Sequence, residues 1–392
     1  MQSTKESHII VKQINHRIIS SDSHVVEPPH LWTERMSSKK WGDRIPHLVD
    51  EGPFDQWLCD GEGVGVLGGV SQAGKRYSDP ESITLDGRFG DVPPGGYDPH
   101  AHVKDLDIDG VDLDILYPSI ALNMFSIPDP FLIREVFKSY NDWLADFCSY
   151  YPKKLKAIGM IMLDDDISAG ISEVKRCRKA GMTGIMVPTF PRQGESYDHV
   201  MYEPLWATAE DLDIPVSLHT GTNRPGAQIM RKGRKVVETG ADRINNDYWP
   251  RMSISQIILS GVFERFPKLN IVNVEHDLAW IPYFIQRMDT TYRERPTQCP
   301  YRFKNSALPS DFMKKNVFHS FQDDGLGVRD RELIGLTQLL WASDYPHAEA
   351  TFPESQRILS EILEGVPETE KGMIVGSNCA NLYGLDKKES LN

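Results

Sequence analysis

A chain of 392 residues, 40% hydrophobic and 25% charged, is long enough to bury a large core and has the balance of a globular protein. Its formal net charge of -13 argues against nucleic-acid binding, which needs a basic face, and no run approaches the ~20 apolar residues of a membrane span. The five cysteines are scattered without a CxxC pair, and Met1 to Arg17 has no apolar core of a signal peptide, so free thiols in a reducing cytoplasm are expected.

Residues 1–16 read as a tail, and Arg17–Asp22 as the first strand. Residues from Glu27 to Tyr97 break any regular pattern, with Pro28-Pro29, the glycines between Gly61 and Gly69, and Pro93-Pro94-Gly95-Gly96. So long an insertion predicts an irregular lid, residues 28–100, over the mouth of the fold. A helix over His102–Ile108 leads into a second strand, Asp114–Pro118, and then the long helix Phe131–Tyr151. Beyond it, strands Ala157–Leu163, Gly184–Pro188, Ile214–Thr220, Leu269–Glu275, Val317–Phe321 and Leu339–Ser343 alternate with helical stretches. Those stretches are Ile167–Ala180, Tyr202–Leu212, Ser253–Phe266, Trp280–Tyr292, Arg329–Gly335 and Glu354–Leu363. Eight strands alternating with helices predict an α/β fold, a (β/α)8 TIM barrel in one domain over 17–384, with 385–392 as a second tail. The first strand is not followed by a GxGxxG turn, which sets the open doubly wound sheet aside.

Active sites of such barrels lie at the carboxyl ends of the strands. Asp22 and His24 end the first strand, and alternation along a strand directs residues i and i+2 to one side, so both can grip one ion. His219, His276 and Asp344 end three further apolar runs, and Glu27 and His347 follow closely on two of these ends. Imidazoles and carboxylates delivered by separate strand ends describe a metal site, with Asp22, His24, Glu27, His219, His276 and Asp344 as candidate ligands. Asp344, His347 and His276 are candidates for proton transfer. If His276 points inward, alternation turns Glu275 and Asp277 away. Arg224, and less so Arg192, stand in loops where a guanidinium could fork a substrate carboxylate. Trp341 and Phe321 are candidates to line the pocket. His100-Ala-His102 matches an HxH ligand pair but opens a helix, so it reads as lid or surface.

These residues resemble the amidohydrolase-related family typified by aminocarboxymuconate semialdehyde decarboxylase. The matching pieces are Asp22-Ser-His-Val-Val-Glu-Pro-Pro29, Leu218-His-Thr-Gly221, Trp280-Ile-Pro-Tyr283 and Trp341-Ala-Ser-Asp-Tyr-Pro-His347, with Asp107–Ser119 and Asn378–Gly384 also similar. The resemblance implies a metal-dependent barrel in which Asp22, His24, His219, His276 and Asp344 hold the ion. The family prototype has His-x-His on the first strand, and Asp-x-His here adds hard-oxygen character that favours manganese or iron. The donors exceed what a single zinc needs, so one or two divalent ions (Zn, Mn or Fe) are expected.

Two chemistries follow from the same residues. One is hydrolysis or non-oxidative decarboxylation of a small organic acid or amide. The other is oxygen activation at a dinuclear Fe or Mn/Fe centre, because some members resembling this pattern are monooxygenases; zinc has no redox chemistry and could serve only the first. A third class is a non-catalytic subunit of a barrel complex. The resemblance also implies a homo- or hetero-oligomer acting on a small-molecule substrate.

Overall fold

The computed structural model describes residues 14–191, 196–223 and 240–386. Strand β1 (Ile19–Val25) enters the core directly, and all seven of its residues are buried. An antiparallel ribbon follows, made of β2 (His47–Asp50), β3 (Asp55–Cys59) and β4 (Glu62–Val66). The remaining strands are β5 (Leu113–Pro118), β6 (Leu155–Met160), β7 (Gly184–Phe190), β8 (Val216–Asn223), β9 (Ile271–Val274), β10 (Val317–Phe321) and β11 (Leu339–Trp341). They join β1 in one parallel sheet in the order β1-β5-β6-β7-β8-β9-β10-β11, as expected for the eight-stranded barrel. Parallel strands flanked by helices are buried on both faces, which is why these segments read as apolar runs.

The barrel closes between its first and last strands through an irregular seam. Asp344 N donates to Asp22 O at 2.9 Å, and His24 N donates to Tyr345 O at 2.6 Å. Hydroxyls fill this seam: Ser343 N donates to Ser20 Oγ at 2.9 Å, and the Oγ atoms of Ser23 and Ser343 lie 3.0 Å apart. That explains a first strand rich in serine. β1 also carries an extra residue between Ser20 and Ser23 relative to β5, a bulge of the kind that re-aims side chains beside active sites. The seam thereby sets Asp22, His24 and Asp344 side by side.

Helix starts follow their sequence signals. Asp129 caps Pro130–Ser149 by accepting from Phe131 N and Leu132 N, and Asp98 caps Pro99–Asp109 by accepting from His100 N. Three expectations need correction. The insertion is not wholly irregular, since it holds the β2–β4 ribbon with Trp57 fully buried. The expected helix Ser253–Phe266 is broken at Gly261 into Tyr248–Leu259 and Val262–Arg265. His102 is neither lid nor surface: it is fully buried, with Nε2 2.9 Å from Asp114 Oδ2 and Nδ1 2.7 Å from Gly95 O. His100 does lie at the surface, against Tyr151.

Among the described residues no helix is long and apolar enough to cross a membrane. All five cysteines are free and buried.

Candidate metal centre

His24 Nδ1 lies 2.7 Å from Pro118 O, and His219 Nδ1 lies 2.9 Å from Thr220 O. A carbonyl only accepts, so each Nδ1 carries the proton and each Nε2 turns a lone pair inward. Those lone pairs meet carboxylate oxygen. His219 Nε2 is 3.2 Å from Asp22 Oδ1, and His24 Nε2 is 3.4 Å from Asp22 Oδ1 and 3.1 Å from Asp344 Oδ1. Asp22 Oδ2, His24 Nε2 and both carboxylate oxygens of Asp344 are buried without a hydrogen-bond partner. Lone pairs packed against lone pairs in a buried site are stabilised by a cation between them. Donor separations of 3.1 to 3.4 Å also match the edges of a polyhedron whose metal–ligand bonds are about 2.0–2.2 Å. The donor set therefore fits a divalent ion, with backbone carbonyls orienting both imidazoles.

Burial, reinforced by the neighbouring His347, holds the His24 pKa below its ordinary value, which keeps the ring in its ligating neutral form. Burial opposes ionisation of Asp344, but the adjoining His347 and His24 outweigh it and hold the carboxyl well below the usual range. Burial would also lower His347, yet Asp344 at 3.1 Å raises it overall. His347 Nε2 meets Ser119 Oγ at 2.9 Å, and its ring stacks on His24 at 3.8 Å.

Glu275 joins Asp22, His24 and His219 in one group of converging donor atoms. Burial raises its pKa, with the Asp344, Glu349 and Asp22 carboxylates adding to the effect. The expected competition between His276 and its neighbours fails because β9 ends at Val274. Glu275 (φ 61°) and Asp277 (φ 54°) take left-handed backbone, so strict alternation no longer applies. Glu275, His276 and Asp277 all line a cavity of about 420 Å³ together with Asp22.

His276 stands beside the cluster, and its ring nitrogens belong to none of the converging donor groups. Both nitrogens are buried without partners, and burial together with nearby His219 and His319 pushes its pKa down to about 3. Glu27 is placed elsewhere. Its carboxylate accepts from Ile120 N at 2.9 Å and Ala121 N at 3.0 Å, capping the turn after β5. Phe321 lines the smaller cavity, whereas Trp341 is packed in the core. Arg192 and Arg224 lie outside the described residues.

Three residues with no role assigned from sequence also border the site. Glu349 forms a donor group with Glu275 and Asp344, Ser119 holds His347, and Arg243 pairs with Glu349 at 2.9 Å while lining both cavities. Glu349 stands two residues beyond His347, a spacing that could have flagged it.

The amidohydrolase family model matches residues 128–385. The chain belongs to the amidohydrolase family. The resemblance read from its motifs is thus borne out. This amidohydrolase is 26% identical over 305 residues to gamma-resorcylate decarboxylase from a Rhizobium species, a match covering 72% of this chain and 86% of that one. It is 24% identical over 347 residues to the enzyme of that name from Rhodococcus jostii, covering 80% and 98%. Among solved structures, an amidohydrolase from Mycobacterium avium subsp. paratuberculosis superposes with a TM-score of 0.76 at 19% identity, covering 94% and 98%. A dihydroxybenzoic acid decarboxylase from Polaromonas sp. JS666, solved with bound manganese and the inhibitor 2-nitroresorcinol, gives 0.61 at 17% identity, covering 96% and 99%. None of these four is named as an oxygenase.

Proposed function

We propose that this amidohydrolase is a manganese-dependent, non-oxidative decarboxylase of a small hydroxylated aromatic acid. The observation that carries the reading is a pair of buried, converging donor groups that share His24, one of Asp22, His24, His219 and Glu275 and the other of His24, Asp344 and His347, with orphaned donor atoms on Asp22, His24 and Asp344. The decarboxylase relatives support the reaction, and the manganese-bound neighbour supports the ion.

When bound, the ion supplies positive charge for a substrate carboxylate and an adjacent hydroxyl. The cavity itself does not offer enough: Asp22, Asp247, Glu275, Asp277, Asp323 and Asp324 line it, against Arg243 as the cation among its described residues. Decarboxylation breaks the bond between ring carbon and carboxylate, the ring carbon takes a proton with that electron pair, and CO2 leaves. An ortho hydroxyl makes that carbon basic, and no oxidant is needed. His347, its Nδ1 3.1 Å from Asp344 Oδ1, carries the proton and delivers it, with the Asp344 charge favouring the protonated ring. Ser119 fixes the far side of the His347 ring. His276, with its open ring nitrogens, accepts a hydrogen bond from a substrate hydroxyl.

Residues 17–384 act as one catalytic unit in this reading, with 28–100 as its cover. Unpaired cysteines support a cytoplasmic setting, and the family resemblance supports a homo- or hetero-oligomer, which light scattering checks.

The test is turnover of 2,6-dihydroxybenzoate and related acids in D2O under nitrogen by manganese-loaded protein. CO2 release matched by one ring deuterium per product is expected. Activity that requires oxygen, or no turnover of any hydroxylated aromatic acid, overturns the reading.

A further inference from the structure

A second, larger cavity of about 1110 Å³ opens beside the first, and both share Arg243, Asn246 and Glu275 in their walls. His347 and Ser119 face this larger space. A single aromatic ring is accommodated by the 420 Å³ chamber alone, whereas the larger one slightly exceeds the ~300–1,000 Å³ typical of small-molecule pockets.

Apolar side chains enter its lining from three segments, among polar groups that include Arg76, Asn123, Asn245 and Glu349. The insertion brings Ile83 and Leu85, the turn after β5 brings Leu122 and Phe125, and the helix Tyr248–Leu259 brings Tyr248 and Trp249. Three of these side chains are partly open to solvent: Ile83 and Leu85 at 38% and Tyr248 at 53%. Large apolar groups gathered at one mouth and left uncovered mark a binding surface. Gln72 fixes the Ile83–Leu85 strip by donating from Nε2 to Thr84 O at 2.5 Å, while Gly68 N donates to Leu85 O at 3.2 Å. The wall is therefore built into the fold.

We propose that the natural substrate carries an apolar extension, an alkyl chain or a second ring, which lies in this larger cavity while the hydroxy acid head sits at the metal donors. The inference rests on the decarboxylase reading for the head group. Its own content is the tail, and the two are tested separately.

Calorimetry on manganese-loaded protein compares resorcinol with 4-hexylresorcinol, which keep the head and lack the reacting carboxylate. Burial of six methylene-sized groups predicts at least about 30-fold tighter binding of the hexyl compound. Ile83→Glu and Leu85→Glu, both at partly exposed positions, shrink that advantage to under about 3-fold while resorcinol affinity and turnover of the unsubstituted acid stay unchanged. Equal affinity for the two ligands, no binding of either, or an advantage untouched by both substitutions overturns the inference. Tail-dependent binding without decarboxylation of the corresponding hexyl acid supports the inference and overturns the proposed reaction.

Discussion

Asp344 holds a left-handed backbone (φ 59°) at the barrel rim, where a non-glycine residue is strained. The strain is offset by the seam bond from its own N–H to Asp22 O, and it aims the carboxylate at His24 and His347. Two substitutions separate the roles of this trio. Asp344→Asn removes the charge that balances the ion and is expected to weaken metal binding about 100-fold, seen by metal analysis after dialysis. His347 converges with His24 and Asp344, but Asp22, His24, His219 and Asp344 all remain in His347→Asn, which is expected to keep the metal and lower kcat about 100-fold or more through loss of a proton carrier. Full activity in His347→Asn would remove it from the mechanism. Glu27 makes a sharper case, since its position beside His24 suggested ligation. Its carboxylate instead satisfies two backbone N–H groups of the turn bearing Ser119. Glu27→Ala leaves both donors buried and unmet, at a cost of about 2–4 kcal/mol, and Glu27→Gln restores part of it. The metal content of Glu27→Gln is expected to equal the wild type; a measured loss would make Glu27 a ligand after all.

At the scale of elements, Asp109 ends the helix Pro99–Asp109 and accepts from Ser355 N at 3.0 Å and Ser355 Oγ at 2.5 Å, tying in the helix Ser355–Ile362. Burial pushes its pKa up to about 6, with the Ser355 bonds opposing and the Asp114 charge adding. A folded pKa above the unfolded value of 3.8 means the folded chain binds more protons between pH ~4 and ~6, so this group's contribution is lost as pH rises through that window. The melting temperature of Asp109→Asn minus that of the wild type is expected to grow more positive from pH 4 to pH 6.5 and then level off, tracking roughly 2–3 kcal/mol. A difference independent of pH would show that the carboxyl titrates normally. The barrel strands were legible because burial on both faces leaves an apolar run. Their ends were less so: β9 and β11 stop short of Glu275 and Asp344, where left-handed backbone places the site residues and no periodicity governs. The ribbon inside the insertion did carry a signal. Asp60-Gly61, both at positive φ, is a hairpin turn between Asp55–Cys59 and Glu62–Val66, hidden by the surrounding glycines. Arg243 had no such signal, because its relation to the site depends on how distant segments pack, whereas Glu349 could be flagged only by its spacing from His347.

Across the whole molecule, the metal donors come from β1, from β8 and from the segment after β11, so the centre stands where the first and last barrel strands meet without a regular ladder. The Asp22, Glu275 and Asp344 carboxylates stand close together in a buried space, and burial first, then their mutual repulsion, raises the Glu275 pKa. An ion bound only by the folded chain stabilises it by mass action, about 4 kcal/mol at a free concentration 1,000 times its Kd. For a chain of this size that corresponds to a melting shift of about 5 °C. Chelation is therefore expected to lower the melting temperature by that amount, and added manganese to restore it. His219→Ala should melt near the chelated wild type and respond weakly to manganese. Asp109→Asn, whose carboxyl lies outside the donor groups, should keep the full response. A wild-type melting temperature unchanged after verified metal removal would mean that the donors do not form a site at the seam, and with it would fall the assignment of Asp22, His24, His219 and Asp344 as the centre on which the proposed chemistry turns.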